Sequence, residues 1–493
     1  MWRKESKGKM KSSYKAQGSN FLQVLSEDQC RRLVAAAMEV LERTGVTYLD
    51  DEALERMKKA GCYVDGKRVR IPFRLVEKAL ATVPRKVSLC NSRTGKTVME
   101  MEGGNAYFGT GSDTPNFIDP YTQERIRASR KTVNMAAKVI DALPNLNFVM
   151  SLGIVQDVHQ LVYDRYQFEA MVLNTSKPIV ITAIDEPGYS DIIKMCELIA
   201  GGEDELKNHP FMTLYAEPIS PLQHPNDSAR KLMLAAKKEL PVVYTPCIMA
   251  GGTVPATLAG AMANGLAESL SGLVLNQVTA EGSPFIMGGV FTVMDMQTTI
   301  FSYGAPEFDL MMAGLADVHH FLDLPMFGTC GCTDAKVVDE QALIEGAMSI
   351  LLTAQGGANL NHDVGYIEHG NTASLEYLAI CDDLIGMARK VVNGIQVDEE
   401  TLALDVIDKV GPGGHFLAED HTMKHFREET WYPRLFIRQI YENWAADGSK
   451  TLFDRSNERV IDILENYEPE PLPKDVQQKM KNIIAEAESK LNK

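Results

Sequence analysis

Two short segments gather most of the residue types that do chemistry. One is Gly328-Thr329-Cys330-Gly331-Cys332-Thr333-Asp334-Ala335-Lys336, with Asp339 and Gln341 just after it. The other carries Asn359, Asn361, His362, Asp363, Gly365, Tyr366, Glu368 and His369. Both grow out of apolar runs, residues 325–329 and 360–366. Titratable and amide groups inside such runs are costly to bury unless each is paired. Function is the usual reason for keeping them, so the two segments are expected to form one active-site wall. Thiols two residues apart on an extended strand share a face, and Cys330, Cys332 and His362 can be drawn as a zinc site. No HxH or HxxEH pair accompanies them, and buried cysteines often serve as small hydrophobes. No metal is therefore assigned, and zinc chemistry stands as an alternative.

Three further places have fitting residue types. Gly109-Thr110-Gly111-Ser112-Asp113 follows an apolar run, and its glycines would let backbone approach a ligand closely, although an ordinary turn reads the same way. Glu217, after residues 211–216, offers a carboxylate to a cation or to a salt-bridge partner. Phe291, after Gly288-Gly289-Val290, is an aromatic at a strand end that core packing also explains.

The elements that must carry these residues alternate. Apolar runs at 106–109, 148–155, 178–184, 211–216, 241–248, 284–290, 325–329 and 360–366 are separated by segments of helical length and periodicity. Runs without clean apolar–polar alternation are typical of strands covered on both faces. Eight strand-then-helix units predict an α/β fold, a TIM (β/α)8 barrel over residues 105–395, whose catalytic groups sit at the carboxyl ends of the strands. A doubly wound sheet would carry a longer Gly-rich nucleotide turn after its first strand than Gly109-Thr110-Gly111 provides. Residues 1–104 read as a mainly helical N-terminal domain. It has helices after Ser26, after Asp50 and from Pro72, and a hairpin around Asn91-Ser92. Residues 396–493 read as a helical C-terminal extension.

Composition narrows the function. Sixty-six acidic against 50 basic residues give a net charge of −16, which speaks against nucleic-acid binding and suits a cationic small molecule. No apolar run of transmembrane length stands out, so no membrane is expected. The N-terminus, MWRKESKGKMKSSYKAQGSN, is a polar, basic tail without a secretory core. Eight scattered cysteines fit a reducing, cytoplasmic setting. A helical tail makes a homo-oligomer plausible.

At these segments the sequence resembles the trimethylamine methyltransferase family, in its branch without pyrrolysine. The shared stretches are Gly109-Thr110-Gly111-Ser112-Asp113 with Asp119 and Glu124-Arg125, Asp141-Ala142-Leu143-Pro144-Asn145, and Asn174-Thr175-Ser176-Lys177-Pro178. Cys332-Thr333-Asp334-Ala335-Lys336, Asn361-His362-Asp363-Val364-Gly365-Tyr366 and Gly413-Gly414-His415-Phe416-Leu417 with His421-Thr422 complete the ordered set. The resemblance implies a barrel that passes a methyl group from a methylated amine to the cobalt(I) of a separate corrinoid protein, with no tightly bound cofactor of its own. Lys336 or a near neighbour stands where the trimethylamine enzymes carry pyrrolysine. Its absence points towards quaternary amines, glycine betaine being the best-known such substrate.

A quaternary ammonium leaves as a neutral tertiary amine and needs neither proton nor Lewis acid. The protein then has to bind a cation, aim one methyl and exclude water. Ring faces and carboxylates attract such a cation, which selects Tyr107, Phe108, Phe291, Tyr366 and Glu217. A betaine carboxylate would need His362, Lys336 or backbone N–H groups. Lys336, His362 and Asp334 stand as catalytic candidates, with Gly109, Ser112, Asp113, Asn361 and Asp363 beside the substrate. A non-catalytic binder of methylated amines, or a zinc-dependent methyltransferase or lyase on the same barrel, are the alternatives.

Overall fold

A computed structural model describes residues 22–491; the basic N-terminal stretch lies outside the described residues. The fold is mixed α/β, built on a curled sheet of seven parallel strands. In chain order these are β1 (Tyr107–Phe108), β2 (Ile179–Ile181), β3 (Met212–Ala216), β4 (Val242–Tyr244), β5 (Phe285–Gly288), β6 (Met326–Thr329) and β7 (Leu360–His362). Strands β2 to β7 lie side by side in sequence order, and β1 pairs with β7. An extended segment lies between the two edges: Gly109 bridges Phe148, and Val149 bridges Ile179, both in the parallel sense. The strands fall in the apolar runs of the sequence, and helices follow them at the expected places, among them Arg130–Ala142, Asn226–Lys237 and Leu375–Val392.

Alternation along each strand divides two cores. Val180, Val243, Ile286, Phe327 and Leu360 point to the inside of the curl with Phe148, and the intervening residues face the helices. The hairpin of Val87–Cys90 and Thr97–Met101 closes the lower end, adding Val87, Leu89, Met99 and Met101 to the inner cluster. With that end filled by hydrocarbon, ligand access is left to the other end, where the strands terminate.

The described part of the first hundred residues contains the expected helices Glu27–Glu39, Asp51–Ala60 and Phe73–Thr82. Ser26 caps the first with a capping box to Gln29, and the Asp50 carboxylate accepts from Ala53 N in the second. It also contains a small sheet that the helical reading did not anticipate. Val46–Tyr48 pairs with Arg68–Arg70 and, in parallel, with Gln223–His224 from the loop after β3. The Tyr48 hydroxyl donates to Ser271 O at 2.9 Å, and its ring stacks on His224 at 4.3 Å. This segment is therefore stitched into the loops of the parallel sheet.

Towards the C-terminus, helix Leu452–Asn466 packs on Leu375–Val392, and Lys474–Leu491 packs on Glu186–Ala200. Helix Leu258–Thr279 is long and apolar enough to cross a bilayer, but 72% of its apolar window is buried inside the protein.

Candidate active site

Strand ends and the loops after them bring Asp113, Glu217, His362 and Asp363 to one end of the sheet, with Tyr163, Tyr215, Tyr303 and Tyr366 around them. The charges are close enough to act on one another. Burial raises the Asp113 carboxyl above its usual range, and neighbouring Asp363 raises it further. Burial, then Asp113 and Asp363, push Glu217 up to about 7. Asp363 is raised by burial, against the opposing effects of His362 and of the Tyr303 hydroxyl. Asp113, Glu217 and Cys247 are nevertheless reached by solvent. A side chain that water can touch, yet whose charge is penalised by surrounding protein, lines a cavity rather than the outer surface.

The tyrosines carry the same signature. Burial raises Tyr215, Tyr303 and Tyr366 well above the ordinary phenol value, and nearby carboxylates add to it. Tyr163 is pushed up to about 12, mainly by burial and next by Asp113. The hydroxyls of Tyr215, Tyr303 and Tyr366 bond the acidic groups or their backbone. Tyr303 Oη donates to Asp363 Oδ2 at 2.6 Å, and Tyr215 Oη donates to Glu217 Oε2 at 3.0 Å. Tyr366 Oη accepts from Asp113 N at 2.9 Å.

Local backbone explains how the groups meet. A Cβ on Gly111 would lie 2.1 Å from Asp363 Oδ1 and 2.3 Å from Tyr366 Oη, so only glycine lets the first loop reach the last one. Asp363 holds φ 71°, a left-handed conformation sparsely used outside glycine and typical of functional loops. His362 Nδ1 lies 2.8 Å from Gly328 O, and its Nε2 faces Asp363 Oδ1 at 3.3 Å. A ring nitrogen facing a carbonyl donates to it, which leaves Nε2 turned towards Asp363. Glu268 accepts from Ser220 Oγ, Leu222 N and Asn264 Nδ2, which fixes the loop just after Glu217.

Other sequence candidates lie elsewhere. Asp334 is bound by Ser302 Oγ, Tyr303 N and Gly304 N, so it anchors the loop that carries Tyr303. Lys336 is exposed, its ammonium on Asp334 O at 2.7 Å. Phe108 faces outward beneath Arg389, whose guanidinium carbon is 5.6 Å from the ring centroid. Phe291 is fully buried against Gly265 and Gly289. The Tyr107 hydroxyl accepts from Glu100 N at the hairpin end of the sheet. The Asn361 amide bonds Tyr107 O and Ala358 O, away from the cavity. For Phe108 and Asn361 strand alternation decides, since neighbours of an inward residue point out; Tyr107 faces inward but at the hairpin end. Gly109 packs on Phe148, and Ser112 is buried beside Asp113.

Tyr163, Tyr215, Tyr303 and Cys247 were absent from the sequence candidates. Tyr215 sits two residues before Glu217, and that spacing on one strand face was an available signal. Tyr303 had none, since it meets Asp334 and Asp363 only across long sequence separations. As for metal ligands, no three His, Cys, Asp or Glu side chains among the described residues are grouped to hold an ion. Cys330 and Cys332 are fully buried, with burial raising both thiols well above the usual value.

The family model for trimethylamine methyltransferase (MTTB) matches residues 2–492. A trimethylamine methyltransferase MttB of Desulfitobacterium hafniense (strain DSM 10664 / DCB-2) is 34% identical over 465 residues, covering 94% of this chain and 93% of that protein. A glycine betaine methyltransferase of Desulfitobacterium hafniense (strain Y51) is 30% identical over 467 residues, covering 94% and 96%. Among solved structures, the Methanosarcina barkeri monomethylamine methyltransferase (MtmB) is similar at 12% identity and a TM-score of 0.46, covering 95% of this chain and 97% of that one.

Proposed function

Because the chain belongs to the trimethylamine methyltransferase family, we propose that it takes a methyl group from a quaternary amine held at this cavity and delivers it to a corrinoid protein. The observation that carries this reading is the lining itself: buried carboxyls and tyrosine rings converge on one solvent-reached space. A permanent ammonium cannot donate a hydrogen bond, so it is recognised by negative charge and by ring faces. Both are present.

The reduced corrinoid, bound by its own protein, would supply the nucleophile for the methyl carbon. The C–N bond breaks with its electron pair kept by nitrogen, and a neutral tertiary amine departs without a proton. This chain's residues have correspondingly modest tasks. Asp113, Glu217 and Asp363 neutralise the ammonium. Tyr215, Tyr303 and Tyr366 restrict its tumbling and displace water, so that one methyl points outward along the line of attack. Lys336 lies outside this lining, and no role in methyl transfer is given to it.

The two parallel bridges at Phe148 and Val149 support reading the sheet as a closed (β/α)8 barrel, with residues 1–104 and 396–493 as additions. A homo-oligomer in the cytoplasm completes the proposal.

The test mixes the full chain with a reduced corrinoid protein and a single amine, following cobalt methylation by absorbance and the amine product by mass. Methylation from quaternary amines and not from trimethylamine is expected. Activity with trimethylamine alone would overturn the reading. Binding of the amine without any cobalt methylation would instead favour a non-catalytic binder.

A further inference from the structure

A wall that suits an ammonium is a poor host for an anion, and three carboxyls stand in this one. Two basic side chains act on it. Lys231 and His362 are felt by Asp113, Lys231 by Glu217, and His362 by Asp363. Both are already engaged. The Lys231 ammonium bonds Ala183 O and sits within the fields of Asp227, Asp164, Glu217 and Asp185. His362 has one nitrogen on Gly328 O and the other at Asp363. Arg165, the nearby guanidinium on helix Tyr163–Asn174, is spent on Asp164 at 2.9 Å and Asp191 at 3.2 Å. Lys336, one of the sequence candidates for holding a carboxylate beside His362, is outside.

We propose, resting on the quaternary-amine reading above, that the methyl donor carries no carboxylate beside its nitrogen: it is a net monocation, a tetraalkylammonium or a hydroxyl-bearing quaternary ammonium, rather than a betaine such as glycine betaine. In glycine betaine one methylene joins the carboxylate to nitrogen. Any pose that seats its ammonium among Asp113, Glu217 and Asp363 therefore brings a fourth carboxylate into the same space. Like charges brought together in a partly desolvated site discriminate strongly against the wrong ligand. A hydroxyl has no such penalty, because the carboxylates and tyrosine oxygens can accept its proton.

Protonation makes the two classes respond to pH in opposite directions. A monocation is held best when Glu217 is ionised, so its affinity falls as pH drops through about 7. A betaine is admitted best when Glu217 carries a proton, so its affinity rises over the same interval.

Calorimetric titration of the full chain with tetramethylammonium, choline and glycine betaine, at about pH 6 and about pH 8, tests this without any variant. The expected result is that tetramethylammonium or choline binds about tenfold or more tightly than glycine betaine at the higher pH, and weakens at the lower one. Glycine betaine binding equally well or better at the higher pH would overturn this inference and leave the quaternary-amine reading standing. Failure of all three to bind would overturn both.

Discussion

At the level of single residues, Glu217 is the most informative group. Its carboxyl is held up to about 7, first by burial and then by Asp113. It is charged above that value and neutral below it. Because the charged form attracts a permanent cation, KM for a quaternary ammonium should rise as pH falls through about 7, with kcat changing less. Glu217→Gln should remove that pH dependence and raise KM by about tenfold, which corresponds to about 1.4 kcal/mol. Steady-state profiles of the two proteins check this, and a wild-type KM flat across the interval would contradict it. Gly111→Ala tests the meeting of the first and last loops. Its methyl would have to occupy space held by Asp363 and Tyr366, so kcat/KM should fall by about a hundredfold or more, because misplaced groups lose rate steeply. Lys336→Met, by contrast, should change activity by about twofold at most, since an exposed ammonium on a carbonyl contributes little.

Among the elements, the loop that brings in Tyr303 depends on a residue from a different strand end. Asp334, just beyond β6, holds Ser302, Tyr303 and Gly304, while the Tyr303 hydroxyl holds Asp363. Positioning thus runs from Asp334 through Tyr303 to Asp363, and in the proposed complex the cation would meet only the last two. Asp334→Ala should free the loop and raise KM by about five- to tenfold, as expected when about 1 kcal/mol of ordering is lost. The melting temperature should fall only modestly, because Phe301 and Tyr303 keep their packing against the core and Phe308. Tyr303→Phe provides the comparison: it removes only the hydroxyl, and its KM change should be the smaller of the two.

For the molecule as a whole, the two ends of the parallel sheet differ in what fills them, and the proposed function places binding at the end away from the hairpin. The lower end is filled by the hairpin side chains Leu89 and Met99, both essentially without exposure. Leu89→Ala should cost about 2–4 kcal/mol in chemical denaturation, as cavity-forming substitutions in well-packed cores do. Amine affinity, measured at the opposite end, should be unchanged. A large loss of affinity in a protein that remains folded would show that the two ends are coupled.

Much of this architecture was legible in the chain. Each apolar run became a strand or an extended segment at its expected place, because burial on both faces demands unbroken hydrophobic sequence. Acidic and aromatic types at strand ends were likewise readable, and Asp113, Glu217, His362, Asp363 and Tyr366 do come together. What one dimension could not decide was direction. Phe108, Phe291 and Asn361 have suitable chemistry, but a shift of one residue along a strand turns a side chain from the cavity to the helices. Nor could spacing find Tyr303, distant in sequence from every group it serves, or the loss of solvation that sets Glu217 near neutrality. Residue types and their periodicity fixed which elements form and what they can offer. Convergence of separate loops into one desolvated space, and hence the charge that space will accept, arose only when the chain had packed.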